Sequence, residues 1–325
     1  MRKWVLPEYI DDILPDEAEA IEELRRGLLD HFRDHGYRLV QPPLIEHLDS
    51  LLTGTGHDLE IQTFKVIDPL SGRLLGVRAD ITPQVARIDA HLLNQGGVTR
   101  LCYAGSVLRT VASGIAQSRE VLQIGAELYG DPDISADREV LGLLLSSLAK
   151  VGVRGLHLDL GHVGVYRALA NGARIAGDGA DSGLFTALRN KDLPGVEELT
   201  ARLPSAWRDA FNALPSLYGP AQEVLAAAAA RLPDTPAIAG ALSALSTLTQ
   251  SAENAVEALH IDLADLRGYH YQTGASFSVF TGGEPNAIGR GERYDGIGKA
   301  FGRARPATGF TLDLRQLAAL IARQG

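Results

Sequence analysis

Only one cysteine, Cys102, occurs in the 325 residues, so neither an internal disulfide nor a thiolate cage for a metal is available. A long apolar run is missing too. The most apolar segment, Val140 to Ala149, is interrupted by Gly142, Ser146 and Ser147 and falls short of the roughly 20 residues that a membrane span requires. It reads as a buried helix. The opening MRKWVLPEYIDDILPDE places acids and prolines where a secretory leader needs roughly 7 to 15 apolar residues. Export is therefore not expected, and a cytoplasmic location is what remains. An excess of basic residues is lacking as well. With 31 Lys+Arg against 40 Asp+Glu and a formal net charge of -9, the chain offers no overall electrostatic footprint for a phosphate backbone. Neither nucleic acid nor a membrane is an expected partner.

Nucleotide and covalent-catalysis motifs are also absent. Gly289 to Gly298 is glycine-rich without the strand-G-x-G-x-x-G-helix order, and Gly298-Lys299-Ala300 lacks the hydroxyl that follows lysine in a P-loop. No serine occupies a G-x-S-x-G elbow. His157, Asp159 and His162 alternate with Leu156, Leu158 and Leu160, which reads as a buried strand rather than as metal ligands. Neither metal nor cofactor is expected.

What is present is an ordinary globular composition, 45% apolar and 22% charged, sufficient for one large domain or two. Asp16 with Glu19 forms a capping-box pattern, and Ala18, Ile21, Leu24, Leu28 and Phe32 keep helical spacing until Gly36. A short extended piece, Tyr37 to Val40, then meets Pro42 and Pro43, which stop a strand or place it at an edge. Thr82 followed by Pro83 reads as N-cap and first helical position, leaving Asp80 just before a helix. From Arg119 to Tyr129, Leu122, Ile124, Ala126 and Leu128 alternate with Val121, Gln123, Gly125, Glu127 and Tyr129. If helices cover the apolar face, Gln123 and Glu127 point into a concavity with Gly125 leaving room for a ligand; periodicity alone favours a strand with one solvated face. Arg267 to Phe280 suggests a second strand pair, with Tyr269, Tyr271, Phe277 and Val279 on one side. Between these regions, residues 165–258 are rich in alanine, leucine and other helix formers and read as an inserted helical subdomain.

Five segments in a fixed order, GYRLVQPPLIE, VRADITPQVAR, YAGSVLRTVASGIAQSREVLQIGAELYG, LRGYHYQTG and GERYDGIGKAFGRARPATGF, together resemble the catalytic core of histidyl-tRNA synthetase. The resemblance implies an α+β fold of the class II aminoacyl-tRNA synthetase type, an antiparallel sheet flanked by helices. It makes residues 1–325 one core domain with the helical insert at 165–258. Because the chain stops at Gly325, soon after the third signature segment, no anticodon-binding domain is expected.

Free histidine carries an ammonium, a carboxylate and an imidazole, so a selective pocket needs acids for the donor ends and a guanidinium for the carboxylate. The resemblance implies a histidine-binding set of Asp80, Thr82, Arg109, Gln123, Glu127, Arg267 and Tyr271. Asp80, Thr82 and Gln123 would hold the amino group, Glu127 would accept from the imidazole, and Arg267 would face the carboxylate. Taken alone, Arg267 and Glu127 also describe an ion pair joining two strands. Gln272 stands where the synthetase pattern has a second tyrosine that helps read the imidazole.

Adenylation demands fixed cations and a carboxylate around a triphosphate, and here the pattern departs. Val111 replaces a glutamate, Ala116-Gln117 replaces a glycine-arginine pair, and Gln316 stands where the ATP-binding arginine belongs. Using Arg315 instead would shift it to another helix face. The chain therefore resembles the non-catalytic branch of the family, the regulatory subunits of ATP phosphoribosyltransferase. That resemblance implies a short-form ATP phosphoribosyltransferase catalytic subunit as partner, histidine as small-molecule effector, and self-association as a dimer or higher. A degenerate enzyme that adenylates histidine and a stand-alone histidine sensor are the competing readings. The basic set Arg290, Arg293, Lys299, Arg303 and Arg305 fits either a partner or anion contact or a solvated charged loop.

Overall fold

A computed structural model describes residues 5–54, 57–113, 118–175 and 183–324. The Ala116-Gln117 pair and most of the Gly172-to-Gly183 stretch lie outside the described residues. Helix α1 (Pro15–Asp34) buries Ile21, Leu28 and Phe32 along one stripe, as their spacing of three to four residues requires. Its N-cap is Leu14, without a side-chain cap, and Asp16 lies inside the first turn. The expected start is thus displaced, because Pro15 has φ preset for the first helical position and Asp16 acts on the helix dipole instead.

Short elements follow: β1 (Arg38–Leu39), β2 (Ile45–His47), α2 (Leu48–Leu51), α3 (His57–Gln62), β3 (Phe64–Ile67) and β4 (Leu74–Val77). Strands β2, β4 and β3 make a small antiparallel sheet. Helix α4 (Thr82–Arg87), continued by a π-helical stretch at Ile88–Leu93, leads to the long hairpin β5 (Thr99–Ser113) and β6 (Ser118–Tyr129), then α5 (Ile134–Lys150) and β7 (Leu156–His162). Helices α6 (Val163–Gly172), α7 (Gly183–Arg189), α8 (Leu193–Thr200) and α9 (Ser205–Ala213) come next. They are followed by β8 (Tyr218–Pro220), α10 (Ala221–Arg231) and α11 (Pro236–Ala252). The chain then runs through β9 (Ala258–Asp262), β10 (Ala275–Thr281), β11 (Glu284–Arg293), β12 (Ala307–Asp313) and α12 (Leu314–Gln324).

Among the described residues nine strands form the main sheet, in the order β1-β5-β6-β12-β11-β10-β7-β9-β8. Its pairs are antiparallel except β1 with β5 and β7 with β9, so the sheet is mixed rather than antiparallel throughout. The β7-to-β9 connection runs through the helices of residues 163–252, and a crossover of that length is what parallel neighbours need. One face of the sheet is apolar. Ile124, Ala126, Leu128, Leu158, Leu160, Val279, Phe310 and Leu312 pack there with α1, α5, α11 and α12 in one core.

Two expectations are corrected. Thr82 opens α4 and is not its N-cap, which is Ile81; the Thr82 N–H instead donates to Asp80 Oδ1 at 2.8 Å. Strand β10 begins at Ala275, not Arg267, because Gly268 adopts φ of 74°, a left-handed turn that cannot extend a strand. Tyr269 consequently packs on Tyr166 and Phe185 in the core, while Tyr271 stays partly exposed.

Candidate ligand-binding site

The pairing registers define which side chains share the face opposite that core. Glu127 on β6, Gly309 on β12 and Glu292 on β11 stand in one row, and Tyr103, Gly125, Thr311 and Arg290 in the next. At Gly309 a β-carbon would overlap the Glu127 carboxylate. Glycine there lets Glu127 lie across the sheet surface. Gly125 works the same way for Tyr103, since a β-carbon there would run into the Tyr103 phenol. The space above Gly125 is therefore filled by an aromatic ring rather than left open for a ligand.

A cavity of about 360 Å³ opens over this face, at the small end of the roughly 300–1,000 Å³ typical of small-molecule pockets. Leu59 and Gln62, the turn Ala79 to Pro83, the Gly268–Tyr271 turn, and Tyr294 with Ile297 form its walls; Glu127, Arg290, Glu292 and Arg109 also line it. Glu127 accepts from Thr82 Oγ1 at 2.9 Å, from the Tyr103 hydroxyl at 3.2 Å, and from the Tyr294 hydroxyl. Burial nevertheless raises its pKa to about 8, the hydroxyl donors opposing the shift. Glu292 accepts from Gln272 Nε2 at 3.3 Å and is also bonded by Tyr271. Burial, reinforced by the charge of Asp80, raises it to about 7. The cavity thus holds two carboxyls that titrate near neutrality, the condition in which a cationic or N–H-donating ligand group decides their ionisation.

Gln123 serves a different purpose. Its Oε1 accepts from the Ile81 N–H at 3.0 Å and its Nε2 donates to Asp80 Oδ2 at 3.3 Å, which fixes the turn carrying Asp80 and Thr82 against β6. Arg109 donates to the Ala79 carbonyl at 3.2 Å and steadies the same turn. Arg78 reaches the carbonyls of Ser106 and Pro42, both at 2.8 Å, passing over Gly105, where a β-carbon would collide with it.

Of the residues picked from sequence, Asp80, Thr82, Arg109, Glu127 and Tyr271 line this cavity. Gln123 lines a second cavity of about 510 Å³, which shares Arg109, Arg290 and Thr311 with the first. Arg267 lines neither. It is paired with Asp265 through two contacts of 2.8 and 2.6 Å and remains 56% exposed. Tyr103, Glu292 and Tyr294 are outside the set that the resemblance implies, and Arg290 enters from the sequence only as one of the basic set, although Arg290 and Glu292 show the alternation of a strand inside the glycine-rich stretch. Arg315 and Gln316 both line the second cavity, so the expected separation onto different helix faces does not keep either out.

The basic set does not act as one patch. Arg293 is buried against Asp137 at 2.8 Å and Arg305 against Asp89 at 2.8 Å, while Arg303 donates to Asn94 and the Gln95 carbonyl. His157 and Asp159 lie on one face of β7 and His162 on the other, where its Nδ1 accepts the Gly164 N–H at the start of α6. Among the described residues, no helix is long and apolar enough to cross a membrane.

Comparison with known proteins gives three kinds of likeness. The histidyl-tRNA synthetase family model matches residues 9–317. A protein of Ralstonia nicotianae named ATP phosphoribosyltransferase regulatory subunit is 59% identical over 320 residues, covering 98% of this chain and 82% of its own. One of the same name from Thiobacillus denitrificans is 58% identical, covering 98% of both. The crystal structure of an ATP phosphoribosyltransferase regulatory subunit/histidyl-tRNA synthetase from Bacillus halodurans superposes with a TM-score of 0.86 at 25% identity, over 99% of this chain and 84% of that one. Histidyl-tRNA synthetase from Nostoc shares the fold, with a TM-score of 0.77 at 17% identity over 100% of this chain and 77% of that one.

Proposed function

Because the chain belongs to the family of ATP phosphoribosyltransferase regulatory subunits, we propose that it activates a short-form ATP phosphoribosyltransferase catalytic subunit and carries feedback inhibition by histidine, without catalysing a reaction itself. The observation that carries the histidine half is the cavity in which Asp80, Thr82 and Glu127 are joined by hydrogen bonds around a ligand-sized space. Asp80 and Thr82, held by Gln123, receive the ammonium; Glu127 takes the imidazole N–H; Tyr271 and Arg109 close the pocket. The effector inhibits by binding more tightly to an inactive arrangement of the assembly than to the active one. A coupling of about 1–3 kcal/mol gives a 5- to 150-fold effect.

The chain also self-associates in this reading, in support of which Ile67 and its cross-strand neighbour Leu74 are at least half exposed beside Leu70, at 67%, 50% and 96%. Apolar side chains clustered in this way on a surface strand are of the kind that a second copy covers. Sedimentation at micromolar concentration is expected to give a dimer or larger species, reduced by Ile67→Lys.

The decisive assay mixes the purified chain with a short-form catalytic subunit and follows phosphoribosyl-ATP formation. The expected result is saturable activation, with inhibition by histidine only when the chain is present. No activation, or histidine-dependent pyrophosphate exchange with ATP by the chain alone, overturns the proposal in favour of a degenerate synthetase. Histidine binding without any effect on the transferase would mark a stand-alone sensor.

A further inference from the structure

Beside Arg109, which steadies the turn at Ala79, Arg267 and Arg290 differ in how their charge is met. Arg267 forms a two-point pair with Asp265, and Asp262 and Asp159 add to the negative field around it. Its guanidinium is already neutralised. Arg290 makes no side-chain hydrogen bond or ion pair among the described residues, yet it lines both cavities. Protein walls remove part of its hydration and, with the neighbouring charge of Arg267, lower its pKa against the opposing fields of Asp265 and Glu292, while the residue stays exposed at the cavity. An arginine that faces a cavity and makes no hydrogen bond or ion pair of its own is free to take a ligand carboxylate as a two-point partner.

Position supports the same conclusion. Arg290 and Glu292 lie two residues apart on one face of β11, about 7 Å along the strand. Arg290 pairs in register with Thr311, and Glu292 with Gly309, which in turn faces Glu127. A free amino acid laid diagonally from Glu127 toward Arg290 therefore meets an acid at its donor end and an unpaired guanidinium at its carboxylate end. We propose that Arg290, rather than Arg267, is the residue that holds the carboxylate of the bound amino acid and so sets the requirement for a carboxylate. This rests on the histidine-pocket reading above.

The test is calorimetry on the full chain with histidine and with histamine, which keeps the ammonium and imidazole but has no carboxylate. The wild-type chain is expected to prefer histidine by about tenfold or more, the scale of one charge-assisted contact. Arg290→Ala and Arg290→Gln are expected to abolish that preference while leaving histamine affinity within about twofold, because uniform loss would indicate damage to the whole pocket. Arg267→Ala is expected to keep the preference. Melting curves matching the wild type establish that the variants fold. If Arg290→Ala still prefers histidine, or if Arg267→Ala loses the preference, the assignment of Arg290 is wrong while the histidine pocket stands. If the wild-type chain gives no heat with histidine, the pocket reading fails and this proposal fails with it.

Discussion

Glu127 and Gly309 show how much of the site turns on single atoms. Gly309→Ala puts a methyl group into the Glu127 carboxylate, and because Glu127 is anchored by three hydroxyls it has little freedom to retreat. We expect a loss of about 1–3 kcal/mol in stability, typical of overpacking, together with weakened histidine binding; unchanged melting and affinity would show that Glu127 is mobile. Protonation gives a second prediction. Burial holds Glu127 at about 8 and Glu292 at about 7, above the ordinary glutamate value of about 4.3 in an unfolded chain. A carboxyl raised by folding stabilises the fold at acid pH, and that stability is lost as pH rises from the unfolded value through the folded one. The melting temperature of the unliganded chain is therefore expected to fall between about pH 5 and pH 8, and Glu127→Gln to flatten the decline. Histidine affinity should move the other way, rising about tenfold from pH 6 to pH 8 as the carboxyls ionise. Titration calorimetry across that range checks it, and a flat profile counts against Glu127 as the acceptor.

Strand β11 is where element and site are hardest to separate. Alternation sends Arg290 and Glu292 to the cavity and Arg293 to the covered side, where it is buried against Asp137 of α5. The same guanidinium also donates to the carbonyls of Asp131 and Asp133, so β11 is fastened to the start of α5. Arg293→Ala leaves Asp137 as a buried charge without its partner, and a loss of about 3–5 kcal/mol is expected, readable by denaturant unfolding. Replacing both residues by apolar ones is expected to cost much less than that. Strand β6 was legible from its alternation, since the same period of two that separates Gln123 and Glu127 from Ile124 and Ala126 separates cavity from core. Strand β11 was not, because the glycines at 289 and 291 that make room for Leu144 and Phe277 disguise a strand as a loop. The stretch Arg267 to Gly274 failed in the opposite sense: its tyrosines look strand-like, but the left-handed Gly268 turns the chain.

At the scale of the whole molecule, the sheet separates two tasks. Helices cover one face with a large core, and the other face carries the polar rows and both cavities beside a smaller apolar cluster in which Leu101, Tyr103 and Val107 pack with Ile81 and Val85. An effector held in the proposed cavity would touch β6, β11, β12 and the turn before α4 together, elements far apart in sequence. Added histidine is expected to protect the amides of β6 and the Ala79 to Pro83 turn from hydrogen exchange. Exchange unaltered there, with histidine bound, would place the ligand elsewhere.

The sequence by itself determined the helix stripes, the two-faced β6, and, through five ordered segments, the family to which the chain belongs, because apolar periodicity and local motifs are properties of contiguous residues. Which charges meet was decided only in three dimensions. Arg267 pairs with Asp265 two residues away, Arg293 with Asp137 on α5, and Arg305 with Asp89 in the π-helical stretch after α4, leaving Arg290 facing the cavity. Coulomb interactions and desolvation depend on distance in space rather than along the chain, so the assignment of a charged side chain to core or ligand follows from cross-strand register, which no single segment contains.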